Sequence, residues 1–361
     1  MSKNNELVVR PTAEPRPKPA EGEAALTDHA LSMRWTKRRS WHALTVADRD
    51  DLPRVRPTAP GVRFGQTVVD EFNAHRMNDG SIAVFRPDSH VKRLNNGARR
   101  MALPLVDFDQ LWAAVRQLVE LDANWLPEAP GSALQLRCVL TADGDAAASR
   151  PAPAEAALLQ VVASPLAVGG PAAAVRAMVS EEYARAWPGG LGDVNAAGTR
   201  GGCVVPGEIA ANYGCGHVLW LDAAQHRTIE QIDGMNVFLV VDGVLTTPAL
   251  DRSVLPGVLR DSVIKLARDG GATVVERAVE LAEVLKGAAD GQVTECFATS
   301  DETGVLPVGA LLHQGVEHRL GDGPGPVTRR YAALVDGIRR GEETDRFGWM
   351  RRLTEVSAVR A

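Results

Sequence analysis

Cysteine is scarce in this chain. Its four thiols, Cys138, Cys203, Cys215 and Cys296, share no CxxC spacing. That pattern argues against a disulfide scaffold and reads as free thiols in a reducing compartment. The eight histidines form no HExxH or HxxxH pair, so no metal is expected. No apolar run is long enough to cross a bilayer, and the N-terminus is polar and proline-rich where a signal peptide would carry an apolar core. The expectation is a cytoplasmic protein with no membrane partner. The balance of 40 Lys+Arg against 45 Asp+Glu leaves no cationic field for a polyanion, which argues against nucleic acid and for a small-molecule substrate. Lysine itself is confined to Lys3, Lys18, Lys37, Lys92, Lys265 and Lys286.

What is present is enough chain for about two domains, at 361 residues. Residues 1–26, with Pro11, Pro15, Pro17 and Pro19 among charges, are expected to form a flexible or extended arm. Val62-Arg63-Phe64 and Ser81-Ile82-Ala83-Val84-Phe85 read as strands, as do Leu134 to Leu140, Leu158 to Ala163, Val218 to Asp222 and Val237 to Val241. Arg86-Pro87 opens an amphipathic helix that runs to about Arg100. A second helix, Phe108 to about Leu121, places Leu111, Val115 and Leu118 on one stripe. Gly169-Gly170-Pro171 marks a linker. Leu255-Pro256-Gly257 opens a further helix, and its N-terminus has the geometry that binds anions on backbone amides. The run Trp187-Pro188-Gly189-Gly190-Leu191-Gly192-Asp193-Val194-Asn195 demands a tight, backbone-exposed turn and delivers Asn195 at its end.

Taken together, Arg185-Ala186-Trp187-Pro188-Gly189-Gly190, the Arg86 to Arg100 block and Met235-Asn236 resemble the branched-chain amino acid aminotransferases. These are pyridoxal-phosphate enzymes of fold type IV whose motifs read RAxPGGTGxxK and FRPDxHxxRLxxSARR. The resemblance runs from about residue 27 to Trp349. It implies an α/β (α+β) two-domain fold with a small domain over 27–163, a linker over 164–174 and a large domain over 175–361. It also implies a homodimer.

Carried across residue by residue, the resemblance implies a dismantled cofactor site. The lysine that forms the Schiff base is Asn195, and the tyrosine beside the cofactor's phenolic oxygen is Arg200. The glutamate on the pyridinium nitrogen is Gln231. Of the phosphate contacts, the family's threonines fall on Leu259 and on Asp301 or, after a slip of one residue, Glu302; Arg93 remains. Two like charges about 4 Å apart cost on the order of 4 kcal/mol at an effective dielectric near 20, so an acid in the phosphate cup opposes pyridoxal phosphate. On the substrate side a tyrosine of the family's strand becomes Gln135, its arginine is Arg137, and an aromatic becomes His75.

Asn195, Arg200, Gln231 and Asp301 or Glu302 are all polar, which reads as a rebuilt pocket. The expectation is a cofactor-independent enzyme, with no cofactor and no metal, doing acid/base chemistry on a small carbonyl-containing metabolite: cyclisation, isomerisation, dehydration or condensation. Asp301 or Glu302 would be the acid or base, with Arg93, Arg137, Arg200, Asn195, Gln231, Gln135 and His75 holding substrate. For Arg93 a structural ion pair weighs equally. The alternatives are a catalytically silent homologue acting as a binding or regulatory subunit, and an ordinary branched-chain transaminase. Cys203, near a helix start, is a further candidate if its thiol pKa is lowered.

Overall fold

The computed structural model describes residues 6–18, 24–128, 132–144, 150–166, 173–321 and 323–353. The expected linker glycines Gly169-Gly170-Pro171 lie outside them. The chain divides into two compact units. The first holds 1–169, 196–198 and 337–361; the second holds 170–195 and 199–336. Residues 337–353 thus belong to the first unit, where the sequence had placed them in the large domain.

The first unit is built on a mostly antiparallel sheet of β1 (Val8–Val9), β2 (His29–Thr36), β3 (Ser40–Asp48), β4 (Thr67–Arg76), β5 (Ile82–Phe85), β6 (Ala133–Asp143), β7 (Ala156–Leu166) and a last strand, Met350–Arg352. Their spatial order is β1-β3-β2-β7-β6-β4-β5, with Met350–Arg352 outermost beside β5. Two helices, Pro87–Arg100 and Phe108–Leu121, accompany this sheet. Asp107 caps the second, its carboxylate accepting from the Gln110 amide at 2.9 Å. Leu111, Val115 and Leu118 are buried along the expected stripe. Pro87 starts the first helix because a proline at that position loses no helical hydrogen bond.

Val62-Arg63-Phe64 is not a strand. Pro60–Arg63 forms a short helical turn, because Pro60 sits at its first position and the Phe64 amide closes back on the Pro60 carbonyl at 2.9 Å. In the N-terminal arm, the described residues 6–18 are extended and docked. Val8 and Val9 pair in parallel with β3, and Arg16 reaches Asp48 at 2.7 Å and Asp50 at 2.6 Å. Proline-rich segments lack a packed face of their own, but this one is held by charge against a strand edge.

The second unit contains β8 (Val175–Val179), β9 (His217–Leu221), β10 (Ile229–Ile232), β11 (Met235–Val241), β12 (Val244–Pro248), β13 (Val274–Arg277), β14 (Val293–Ser300), β15 (Gly304–His313) and β16 (Val316–Arg319). The order β10-β9-β8-β15-β14-β11 is closed by pairing of β10 with β11, so six strands form a ring without a free edge. Leu219, Ile232, Val237, Leu239, Cys296 and Val308 belong to its buried core, which also takes in Leu281 and Val284 of the helix Leu281–Ala289. Among the described residues no helix is long and apolar enough to cross a membrane.

Candidate functional site

In the first unit, β4 alternates two sets of polar side chains. Glu71, Asn73 and His75 share one face, and Asp70 belongs to the other. Register carries the first face onward: Glu71 pairs with Arg137, and Asn73 pairs with Gln135, which pairs with Ser164. Arg137 donates from Nε to the Gln135 Oε1 at 3.0 Å and from Nη2 to the Ser164 Oγ at 2.6 Å. Two of the expected substrate residues, Arg137 and Gln135, are therefore in direct contact. His75 shares their face but is buried, and its Nε2 has no hydrogen-bond partner among the described residues. Burial first, then the charges of Arg339 and Arg340, push its pKa well below the ordinary histidine value, so the ring is neutral.

Arg93 lies across the sheet from this row. Its Nε and Nη2 bond the two oxygens of Asp70 at 2.7 and 2.9 Å. His90, three residues earlier on the same helix face, meets Asp70 through Nδ1 at 2.7 Å. Burial presses the Asp70 carboxyl upward, yet Arg93 and His90 together hold it below the ordinary range. Within its own unit, Arg93 thus has Asp70 as a counter-ion, a partner the sequence did not suggest.

The second unit carries the remaining expected residues. Asn195 ends the glycine turn, and its Oδ1 accepts from the Arg200 Nε and Nη2 at 3.3 and 3.2 Å. Gln231 is fully buried on β10, accepting from the Leu255 amide at 2.9 Å and donating to the Met235 carbonyl at 3.4 Å. Asn236 on the neighbouring strand donates to the Leu255 carbonyl at 2.8 Å, so both side chains clamp the segment that opens the helix Val258–Asp269. Gly257 is required there, since a Cβ would lie 2.1 Å from the Asn236 Oδ1. Leu259 is buried in the first turn of that helix. Asp301 and Glu302 occupy the turn between β14 and β15, Asp301 buried and Glu302 exposed.

Arg185 holds the glycine turn in place. Its Nη2 donates to the carbonyls of Gly192 at 2.9 Å and Ser253 at 2.6 Å. A Cβ on Gly192 would stand 2.3 Å from the Ser253 carbonyl oxygen, so the turn can pack this closely only with glycine at that position. Glu230, adjacent to Gln231, was given no role by the sequence. Both of its carboxylate oxygens are buried without a hydrogen-bond partner among the described residues. Burial and the nearby Asp251 and Asp222 push its pKa up to about 7, opposed by Arg185 and by the Ser253 hydroxyl, which itself donates to Asp251 at 2.6 Å. Its only sequence signal is an acid at the centre of the four-residue buried strand Ile229–Ile232. Cys203 is not an activated thiol: half-buried, it points its Sγ at the Thr199 carbonyl, and burial raises its pKa above the ordinary value.

The amino-transferase class IV family matches residues 72–311. The chain belongs to that family. Within it, the branched-chain-amino-acid aminotransferase of Mycobacterium tuberculosis is 38% identical over 335 residues, covering 91% of this chain and 90% of that protein. The enzyme of the same name from Mycolicibacterium smegmatis is 36% identical with the same coverage. Among solved structures, the branched-chain aminotransferase of the thermophilic archaeon Thermoproteus uzoniensis with norvaline superposes with a TM-score of 0.74 at 22% identity, covering 90% of this chain and 100% of that one. The two-domain fold-type IV architecture follows.

These relatives correct the functional expectation. A cofactor-independent cyclase, isomerase or lyase, or a silent homologue, was inferred from a handful of substituted positions. Relatives similar over nine-tenths of the chain are aminotransferases by name, so both inferences are withdrawn, and so is the expectation that no cofactor is used.

Proposed function

We propose that this chain acts as a branched-chain-amino-acid aminotransferase. It would move an amino group between a branched-chain amino acid and a 2-oxo acid, with pyridoxal phosphate as cofactor, and work as a homodimer. The observation that carries the proposal is the 38% identity sustained over 91% of the chain.

Arg137 supports it on the substrate side. The guanidinium is half-buried and propped by two neutral acceptors, Gln135 and Ser164. Among the described residues no carboxylate pairs with it. A guanidinium so placed favours a carboxylate, which every amino acid and 2-oxo acid carries.

Pyridoxal phosphate, when bound, supplies an electron sink for the substrate's α-carbon. The residues here do not fit a lysine-held form of it. Asn195 offers an amide where an imine needs an amine, Gln231 is neutral and already bonded to Leu255 and Met235, and Arg93 is engaged by Asp70. A step that requires a covalent amine at residue 195 has no side chain to carry it.

The test uses the full chain with leucine, 2-oxoglutarate and pyridoxal phosphate, with the absorption spectrum recorded before and after borohydride. Glutamate formation that depends on both leucine and the cofactor supports the proposal. A spectrum unchanged by pyridoxal phosphate, together with no glutamate, overturns it. Light scattering decides the homodimer.

A further inference from the structure

The polar face of the first sheet continues beyond Arg137. The guanidinium is drawn along β6 by the Gln135 Oε1 at 3.0 Å and across to β7 by the Ser164 Oγ at 2.6 Å. Its charge thus stands toward the row Asn73, Gln135 and Ser164, which β4, β6 and β7 bring into register. The next row on the same face holds His75, paired with Ala83 on β5 and with Ala133 on β6. Side chains two residues apart on a strand point the same way and lie about 7 Å apart, so one row separates the two groups.

Nothing on its own sheet satisfies the imidazole. His75 is 5% exposed, and its Nε2 has no hydrogen-bond partner among the described residues. Its register neighbours on both sides are alanines, whose side chains have nothing to donate or accept. A buried polar atom left in this state costs its desolvation, and a ligand group that bonds it removes that cost. The ring is neutral, so it presents one N–H and one lone pair. A hydroxyl or an amide matches such a ring, since each can donate or accept. A second carboxylate is a poorer match, because the ring offers it no charge.

We propose that His75 is a specificity residue, selecting amino acids whose side chain ends in a neutral hydrogen-bonding group while Arg137 holds the carboxylate. The inference rests on the aminotransferase reading for its reaction and narrows the substrate class of that site. A ligand whose carboxylate sits on Arg137 has to cross about one row, roughly 7 Å, to reach the ring, which a short amino acid does. A side chain that ends in a methyl group reaches the same place but leaves the Nε2 as it is. The discrimination lies in that unmet bond, and a site built around a polar partner rejects an analogue that lacks it.

L-Homoserine and L-norvaline test this, because they match in size and differ by a terminal hydroxyl against a methyl. Their binding to the full chain is measured by calorimetry, and leucine-dependent glutamate formation with pyridoxal phosphate is measured beside it. Homoserine is expected to bind about tenfold or more tighter than norvaline. His75→Phe keeps a flat ring without its nitrogens and should bring the two ligands within about twofold of each other. His75→Gln keeps a hydrogen-bonding group and should retain part of the preference, whereas Arg137→Gln should weaken both ligands alike. In the wild-type chain, homoserine and not norvaline should shift the ring nitrogen resonances of His75. Norvaline binding as tightly as homoserine, a preference that survives His75→Phe, or binding of neither ligand overturns the assignment. Glutamate formation keeps the two readings apart. A chain that transaminates leucine without preferring homoserine refutes the role of His75 alone, and one that prefers homoserine but transfers no amino group refutes the reaction alone.

Discussion

Arg93 and Asp70 face each other edge to edge, with both carboxylate oxygens taken by one guanidinium at 2.7 and 2.9 Å. Asp70 is 1% exposed, and removing one member of a buried pair leaves the other charge stranded. Asp70→Asn is therefore expected to lower unfolding free energy by about 3 kcal/mol or more at pH 7, read by urea denaturation. The carboxyl is held below its ordinary pKa, so its stabilisation is present above the unfolded value and is lost as pH falls through the depressed folded one. A loss under about 1 kcal/mol would mean that the pair is held no more firmly than one on the surface.

Glu230 has the opposite sign. Its folded pKa is pushed up to about 7 from 4.5, so the neutral form is the one the fold accommodates. Stability is fully retained below the unfolded value, decreases as pH rises from about 4.5 to about 7, and is level above that. A shift of this size is worth about 3 kcal/mol as an order of magnitude. Glu230→Gln keeps the shape and removes the charge, so the variant should be the more stable of the two at pH 8 and lack this slope. Parallel stability curves for wild type and variant between pH 4.5 and 8 would place the ionised carboxylate in a solvated setting and refute the assignment.

These two carboxylates show how far the sequence could be read. Helix Phe108–Leu121 and strands β6, β7, β9 and β11 follow from local periodicity, which needs only neighbours in the chain. Asp70, which pairs with Arg93, is 23 residues away on another element, and nothing local marks it as facing the guanidinium. The docking of the arm was out of reach for the same reason: Arg16 and Asp48 are 32 residues apart, and proline content says nothing of such a contact. Asn195, Gln231 and Asp301 were read as departures from the family's pattern. Concluding from them that the activity had changed class gave a few positions more weight than the similarity that runs through 335 residues.

The glycine turn gives a sharper test of packing. Gly192 has its missing Cβ directed at the Ser253 backbone, with oxygen, Cα and carbonyl carbon at 2.3, 2.5 and 2.6 Å. Backbone cannot rotate away as a side chain can, so Gly192→Ala must separate the turn from the 249–257 segment and strain the two bonds of Arg185. A destabilisation of about 1–3 kcal/mol is expected. Gly189→Ala serves as the contrast: φ there is +77°, and an added Cβ meets nothing within 4 Å, so the expected cost is backbone strain, about 1 kcal/mol. Equal thermal shifts in the two variants would show that the contact with Ser253 is not what demands glycine at 192.

Asn195→Lys tests the position that departs most from the family's chemistry. The new amine would stand beside Arg200, whose guanidinium now donates to the Asn195 Oδ1. A neighbouring cation disfavours the ammonium form and so raises the fraction of free amine at neutral pH, which is the nucleophile an aldehyde needs. Addition of pyridoxal phosphate to the variant should produce a visible absorption band, and borohydride should convert it to a mass increase located by peptide mapping at residue 195. The wild-type chain, with an amide there, should gain no mass at that residue. A variant that folds as the wild type does but acquires no adduct at residue 195 would mean that the turn does not present this side chain to the cofactor.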